Sequence, residues 1–188
     1  MQIIGLKIHP GLSFEDYRAL PGLSYSGIKK GDFVPTKKMM LGTAVHNYIL
    51  EPEKYNGANR ELVVPIARVL LAQIGELVKH MQTELSITCN MEHEGFSMAY
   101  KGRIDMIRPG KLIIDLKISE IPLNRSVPFF GYGDQLTGYC LATNTPVGII
   151  VRVCPKTLKT EKAMIRKNPG FWEYQVLKYG IPINIATY

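Results

Sequence analysis

Cysteine is scarce in this chain of 188 residues, which carries only Cys89, Cys140 and Cys154. The three are odd in number, far apart and without a CxxC pair. This pattern argues against a zinc site, a four-thiolate iron–sulfur cluster and a disulfide framework. We therefore expect no Fe–S cluster and three buried, reduced thiols in a cytosolic protein.

Long apolar runs are also missing, and no stretch has the length of a membrane span. The first residues, MQIIGLKIHPGL, lack the basic and then apolar order of a signal peptide. A soluble, cytoplasmic protein without a membrane partner is expected, in the host cytoplasm if the protein is viral. Acidic residues number 16 against 23 Lys and Arg, a formal charge of +7. That excess weakly indicates a polyanionic partner such as DNA or RNA.

The order of predicted elements indicates the fold class. The length suits one domain, and residues 1–23 are expected to be irregular. Helices are predicted at 24–30, 39–50, 65–81, 134–142 and 169–179. Strands are predicted at 84–89, 96–107, 112–118, 146–154 and 162–166. This order is typical of an α/β (α+β) domain with a small central mixed sheet flanked by helices.

The predicted strand LIIDLKI contains two charged residues, Asp115 and Lys117. A carboxylate on a buried strand is costly unless it is paired or binds a metal. Lys117 follows by two residues, so both side chains leave the same face. An ion pair on a half-exposed strand is one explanation, and a catalytic site is the other.

Asp105, on the preceding strand, favours the catalytic explanation. If the two strands pair, Asp105 and Asp115 converge, and a divalent cation would relieve their repulsion. Oxygen ligands favour Mg²⁺ or Mn²⁺. A neighbouring lysine can orient or help deprotonate a water, or stabilise charge on a phosphate. Such a set suits metal-dependent hydrolysis of a phosphodiester.

The connection around Pro109-Gly110 decides whether the two carboxylates share a face. A two-residue hairpin loop would send Asp105 and Asp115 to opposite faces. We therefore predict a connection of three or five residues, or a bulge.

These residues form motifs that resemble the PD-(D/E)XK nuclease superfamily. The GRID segment ending at Asp105, the DLK segment at 115–117 and QLTGY at 135–139 are similar to motifs of its RecB-like branch. Upstream, GTAVH at 42–46 and DYRALPGLSYSGIKK at 16–30 resemble segments of RecE- and lambda-type phage exonucleases. The motifs occur in the family's order over roughly residues 16–142. The resemblance implies a restriction-endonuclease-like core.

The resemblance also implies roles for individual residues. The catalytic set would be Asp105, Asp115, Lys117, Gln135 and Tyr139. The metal ligands would be His46, Asp105, Asp115 and the backbone carbonyl of Leu116, with Glu84 as a further candidate. DNA would be bound by Ser24, Ser26, Lys29, Lys30, Arg103 and Tyr139. We expect Arg103 to project from the strand face opposite to Asp105.

Each of these roles has a structural alternative. Gln135 and Tyr139 are four residues apart and share a helix face. Gln135 would hold the lysine, water or substrate, and Tyr139 would hydrogen-bond or stack at the DNA. The alternatives are a solvated glutamine, a core tyrosine, a His46 that only packs against the sheet, and lysines that are only surface residues.

Taken together, the resemblance implies a metal-dependent DNA exonuclease of phage or prophage type. It would use Mg²⁺, with Mn²⁺ as a substitute, and act 5′ to 3′ at double-strand ends for recombination. A single-strand annealing protein and a homo-oligomeric ring are implied by analogy alone. The single nuclease domain would divide into a DNA-end-binding segment at about 1–60 and a catalytic core at about 61–188. The alternatives are a structure-specific or single-strand nuclease, and an inert DNA-binding module.

Overall fold

The computed structural model describes residues 1–29, without the side chain of Lys29, and residues 36–183. The strands are β1 (Gln2–His9), β2 (Gln82–His93), β3 (Phe96–Arg108), β4 (Leu112–Ile118), β5 (Val147–Val153), β6 (Thr160–Arg166) and β7 (Ile181–Pro182). The helices are α1 (Phe14–Ala19), α2 (Tyr25–Lys29), α3 (Lys37–Leu50), α4 (Arg60–Ile74), α5 (Leu123–Phe130), α6 (Tyr132–Ala142) and α7 (Gly170–Tyr179). Two 3-10 helices lie at Pro52–Lys54 and Gly75–His80. Within these ranges, no helix combines the length and apolarity that crossing a bilayer requires.

The strands form one seven-stranded sheet in the order β1-β2-β3-β4-β5-β6, with β7 paired to β3. Among the strand pairings of the described residues, β4–β5 alone is parallel, and α5 and α6 make the crossover between these two strands. A parallel pair needs such a long connection, whereas its antiparallel neighbours are joined by turns. The predicted mixed sheet flanked by helices is therefore confirmed.

Two apolar clusters cover the two faces of the sheet. One contains side chains of α6 and α7, and the other contains side chains of α3 and α4. Strand β4 feeds both, since Ile113 joins the first cluster while Ile114 and Leu116 join the second. Burial on both faces explains why LIIDLKI is apolar at almost every position.

The prediction that residues 1–23 are irregular was wrong, because they include β1 and α1. Strand β1 pairs with β2 at the edge of the sheet, with a register shift between Ile4 and Lys7. Most of its side chains are exposed, so it lacks the alternation that signals a half-buried strand. Ser13 caps α1 by accepting a hydrogen bond from Asp16 N at 3.0 Å.

One helix prediction had the wrong bounds, and one helix was missed. The predicted helix at 65–81 begins five residues earlier, at Arg60, with Pro65 inside it, and it ends at Ile74 before the second 3-10 helix. The first turn of this helix lies before the apolar periodicity on which the prediction rested, and the helix accommodates Pro65. Helix α5 was missed, because its eight residues include Pro128 and give too short a pattern for periodicity.

The cysteines are buried at two of the three positions. Cys89 and Cys140 are buried, and Cys154 is partly exposed. Burial raises the pKa of Cys89 to about 12 and that of Cys140 to about 11. Both thiols therefore stay protonated at neutral pH, as expected for structural cysteines.

Helix α6 packs against Trp172 through a glycine, which gives a test of the fold. A Cβ added at Gly138 would lie 2.6 Å from the indole of Trp172, a fully buried ring whose Nε1 donates to Asp134 O at 2.8 Å. We expect Gly138→Ala to lower the free energy of unfolding by about 1–3 kcal/mol, because the ring must shift. Urea denaturation measures this change.

The matched control lies in the same helix. A Cβ at Gly133 would meet its nearest neighbour, Val127 Cγ1, at 3.5 Å, an ordinary contact. Gly133→Ala should leave stability unchanged or raise it by up to about 1 kcal/mol, through helix propensity. Equal effects of the two substitutions would contradict the described packing of α6.

Candidate metal and catalytic site

The candidate site lies in the fork where β3 and β4 part. Met106 pairs with Ile114 and Arg108 with Leu112, so the connection has three residues, as the parity argument required. The ladder ends at Met106, and the next pair in the same register would be Asp105 and Asp115. Instead, the side chain of Asp105 accepts a hydrogen bond from Leu116 N at 2.7 Å. The carboxylate of Asp105 thus accepts from Leu116 N beyond the point where the β3–β4 ladder ends.

The backbone is irregular on both sides of Asp105. On β3, Ile104 packs in the cluster under α6 and α7, but Met106 packs in the cluster under α3 and α4. Residues two apart on a regular strand share a face, so β3 turns over at Asp105. Glu84, opposite Asp105 in the β2–β3 register, has φ +49. A non-glycine residue in this region costs about 1–3 kcal/mol, a strain common at functional sites.

Helix α3 brings His46 to the two carboxylates. Its Nδ1 lies 3.6 Å from Asp105 Oδ1 and 3.9 Å from Glu84 Oε1. On the other side of the ring, Nε2 lies 3.1 Å from the carbonyl oxygen of Leu116. One ligand atom from each of His46, Glu84 and Asp105 can be chosen so that all three lie within 4.8 Å of one another. This group forms the centre of the site.

The protonation of these groups reflects their crowding. Burial opposes the charged form of His46, but Asp105 and Glu84 outweigh it and raise the pKa of His46 to about 9. Burial is also the main cause that raises the pKa of Asp105 to about 6. At neutral pH, a protonated imidazole therefore balances part of the negative charge.

Lys117 and Asp115 form a second pair at the fork. Lys117 Nζ lies 2.7 Å from Asp115 Oδ2, and both side chains are largely buried. Burial opposes the charge of Lys117, but Asp115 and Asp105 more than compensate and raise its pKa. The lysine is therefore cationic at neutral pH, and it points towards α6.

Helix α6 fixes the lysine from the other face of the sheet. Lys117 Nζ donates to Gln135 Oε1 at 3.3 Å, and Gln135 Nε2 donates to the hydroxyl of Tyr139 at 2.9 Å. The predicted common helix face of Gln135 and Tyr139 is thus observed. Tyr139 is only 5% exposed, so hydrogen bonding, and not stacking, is its role in this geometry.

The glycine of the GRID segment explains how Tyr139 fits. A Cβ at Gly102 would lie 2.7 Å from the Tyr139 ring and 3.1 Å from the hydroxyl of Tyr100. Only glycine leaves room for the tyrosine there. Two motifs that are far apart in sequence are therefore in direct contact.

Arg103 lies on the side of the site, and our expectation that it would face away from Asp105 was wrong. Arg103 contacts Glu84, and His46 lies beside both Glu84 and Asp105. Arg103 Nε donates to Glu84 Oε2 at 2.6 Å, and Nη1 donates to the carbonyl of Leu12 at 2.8 Å. Its Nη2 reaches the carboxylate of Glu51 at 3.4 Å, and its side chain is 10% exposed. In this geometry Arg103 positions Glu84 instead of facing solvent.

The predicted DNA-binding residues near α2 are only partly described. Ser24 Oγ accepts from Gly27 N at 3.1 Å and lies 3.1 Å from Ser26 Oγ. Both serines stand at the start of α2. The side chain of Lys29 and all of Lys30 lie outside the described residues.

Two residues of the site were missed. Glu51 ends α3 and binds both Arg103 and Lys54. Its place in the LEPE segment at 50–53, shortly after the GTAVH motif, was the signal in the sequence. Tyr132 has its ring 4.8 Å from Lys117 Nζ. No motif marked Tyr132, although it precedes Gln135 by one helical turn.

Comparison with solved structures shows that this chain shares its fold with another protein. No protein-family model matches the chain, and no curated protein matches it significantly by sequence. A protein from Eubacterium rectale named as a candidate exonuclease has 17% identity and a TM-score of 0.51, over 81% of this chain and 66% of that one. A phage-related exonuclease from Haemophilus somnus 129PT has 16% identity and a TM-score of 0.45, over 79% and 70%. The chain thus spans just under two thirds of the Eubacterium protein, and that likeness shows the fold alone.

Breaking the Arg103 contacts tests the electrostatic design of the site. We expect Arg103→Met to lower the free energy of unfolding by about 2–4 kcal/mol, because Glu84 and Glu51 lose a partner in a largely buried place. Chemical denaturation measures this.

An exposed ion pair supplies the control. Lys79 Nζ lies 2.6 Å from Glu76 Oε2, with side chains 65% and 78% exposed. Lys79→Met should change stability by less than about 0.5 kcal/mol. A loss at Arg103 as small as that at Lys79 would show that the buried network is not needed for folding.

Proposed function

We propose that this protein is a metal-dependent DNA nuclease, and specifically an exonuclease acting at double-strand ends. The observation that carries the proposal is the convergence of His46, Glu84 and Asp105 within 4.8 Å, beside the buried Lys117–Asp115 pair. An exposed acidic cluster alone would mean little. Here the cluster is largely buried, strained at Glu84 and held from both faces of the sheet, as functional sites are.

The donor set fits a divalent cation. His46, Glu84, Asp105, the nearby Asp115 and the carbonyl of Leu116 would hold it. Carboxylate and carbonyl oxygens suit Mg²⁺, and the imidazole is more natural for Mn²⁺. Such an ion would neutralise the scissile phosphate and activate the attacking water.

The side chains of the chain supply the rest of the chemistry. Asp115 and Asp105 raise the pKa of Lys117, so without metal the lysine carries a positive charge that can stabilise the phosphate. Asp115 and Gln135 hold its ammonium from two sides. Tyr139 fixes Gln135 through its hydroxyl, so it acts as a positioning residue.

DNA as substrate is supported by several features. The formal charge is +7, and the Eubacterium neighbour is named as a candidate exonuclease. We propose 5′ to 3′ polarity and a role in recombination from the motif resemblance. The same resemblance supports end-binding by Ser24 and Ser26, a ring of several copies and a single-strand annealing partner.

End-labelled duplexes test the function directly. The protein is incubated with duplexes bearing a 5′-phosphate or a 5′-hydroxyl, with Mg²⁺ or Mn²⁺, and the products are separated by size. Release of 5′ mononucleotides from the labelled end supports the proposal. Cleavage only at internal or single-stranded positions would indicate a different nuclease, and no cleavage of any DNA would indicate an inert binding module.

Replacement of either member of the Lys117–Asp115 pair should strongly reduce cleavage. We expect Asp115→Ala and Lys117→Ala each to lower the rate by at least about 100-fold, because the first removes a proposed metal ligand and the second removes positive charge at the phosphate. Binding of DNA, followed by fluorescence anisotropy, should persist. Circular dichroism checks the fold of each variant.

Lys111 provides a matched control for lost positive charge. It lies exposed in the three-residue connection between β3 and β4. Lys111→Ala should cleave at close to the native rate. Rates retained in both Asp115→Ala and Lys117→Ala would remove these residues from the mechanism.

Metal affinity should depend on pH in a defined direction. Without metal, His46 has a pKa of about 9 and Asp105 a pKa of about 6, so binding must displace protons. Affinity for Mn²⁺ should therefore rise with pH between 6 and 9, by roughly tenfold per unit where one proton is displaced. Calorimetry in buffers of different ionisation enthalpy measures both affinity and proton release.

His46→Gln separates the two titrating groups. This variant should bind Mn²⁺ more weakly and should release fewer protons on binding, because only Asp105, whose pKa rises when the charge of His46 is lost, is left to titrate. A native affinity that is independent of pH, with no proton release, would show that the metal does not displace a proton from His46.

A further inference from the structure

Three aromatic rings lead from Lys117 to the surface. The ring of Tyr132 lies 4.8 Å from Lys117 Nζ. Phe130 stacks on Tyr132, with centroids 5.3 Å apart and planes at 29°. Phe129 meets Phe130 edge to face, with centroids 5.0 Å apart. This aromatic row, formed by Tyr132, Phe130 and Phe129, joins the proposed catalytic lysine to solvent at the junction of α5 and α6.

Phe129 ends the row in an unusual position. It is 76% exposed, the highest value among the exposed large apolar residues in the described parts of the chain. The backbone of the row is anchored at Phe130, where Tyr25 donates a hydrogen bond to the carbonyl at 3.0 Å. An exposed phenylalanine on a fixed backbone offers a flat apolar surface without a large loss of entropy on binding.

A basic residue accompanies Phe129. Arg125 precedes it by four residues on α5, so both side chains leave the same face of the helix. Arg125 is exposed and takes part in no ion pair among residues 1–29 and 36–183. A stacking surface beside a free positive charge is complementary to one nucleotide, with its base on the ring and its phosphate at the guanidinium.

We propose that Phe129 is a stacking platform for an unpaired base of the DNA strand being cut, and that Arg125 binds an adjacent phosphate. This proposal rests on the proposed nuclease function, since the aromatic row begins at the catalytic lysine. Stacking on an aromatic ring is tolerant of sequence, because every base has a π face. The platform therefore suits a nuclease that must hold each successive nucleotide regardless of its identity.

A double-mutant cycle between protein and DNA tests the platform. Binding of a labelled single-stranded oligonucleotide is measured by anisotropy in an Asp115→Asn background, which prevents cleavage. Phe129→Ala should weaken binding by about 5- to 100-fold, the range found for loss of base stacking. A series of oligonucleotides, each with one abasic nucleotide at a different position, then locates the stacked base.

Coupling is the decisive readout. One abasic position should weaken binding to the Asp115→Asn protein but have little effect once Phe129 is also replaced, because the contact is already lost. Tyr174→Ala is the control, since Tyr174 is an aromatic residue, 59% exposed, on α7 and outside the row. It should leave both affinity and the abasic profile unchanged. Arg125→Ala should weaken binding and reduce its salt dependence without moving the abasic position.

The outcomes separate the platform from the nuclease function. Coupling at one abasic position supports the platform. If the native protein shows this coupling but cuts no DNA, only the nuclease function is overturned. Native cleavage without any coupling at Phe129 overturns the platform and leaves the nuclease function standing. If Phe129→Ala leaves DNA binding unchanged but alters sedimentation of the free protein, the face is a protein interface and the platform is wrong.

Discussion

Crowding of like charges at the fork between β3 and β4 is the constraint on which the site depends. Glu84, Asp105 and Asp115 approach one another where little water reaches them. Uncompensated, such carboxylates would be protonated or driven apart. Each has its own cationic neighbour instead, namely Arg103 at Glu84, His46 at Asp105 and Lys117 at Asp115.

These cations come from different parts of the fold, so the charge balance also fixes the architecture. His46 is supplied by α3 on one face of the sheet, and Lys117 is fixed by Gln135 from α6 on the other. A continuous sheet would separate the two faces. The early end of the β3–β4 ladder and the turn-over of β3 at Asp105 create the opening through which they meet.

The sequence predicted those features that follow from strict geometry. The period of two along a strand required a connection such as the three residues found between Arg108 and Leu112, and the period of the helix required Gln135 and Tyr139 to share a face. The fold class followed from the order of elements. The same alternation of side chains along a strand was misapplied to Arg103, which was expected on the face opposite to Asp105.

Other features depend on tertiary contacts that have no local signature. Strand β1 exists because β2 offers it a partner, and not because its own side chains are buried. Helix α5 is short and contains Pro128, yet it places Phe129 and its neighbours beside the site. Glu84 has a positive φ at the point where it is left out of the β2–β3 register, and glutamate itself gives no hint of this conformation.

The charge count of the site is relevant to the proposed divalent ion and the proposed phosphodiester substrate. At neutral pH the three carboxylates of the fork are matched by three cationic side chains, with His46 protonated and Asp105 ionised. A phosphodiester would bring one negative charge into a neutral, partly buried place, at a large desolvation cost. A divalent ion held by these residues in place of the proton of His46 would add two charges and remove one. The gain of one positive charge would equal in size the charge of one phosphodiester, so exchange of a proton for a metal would adapt the same set of side chains to the proposed substrate.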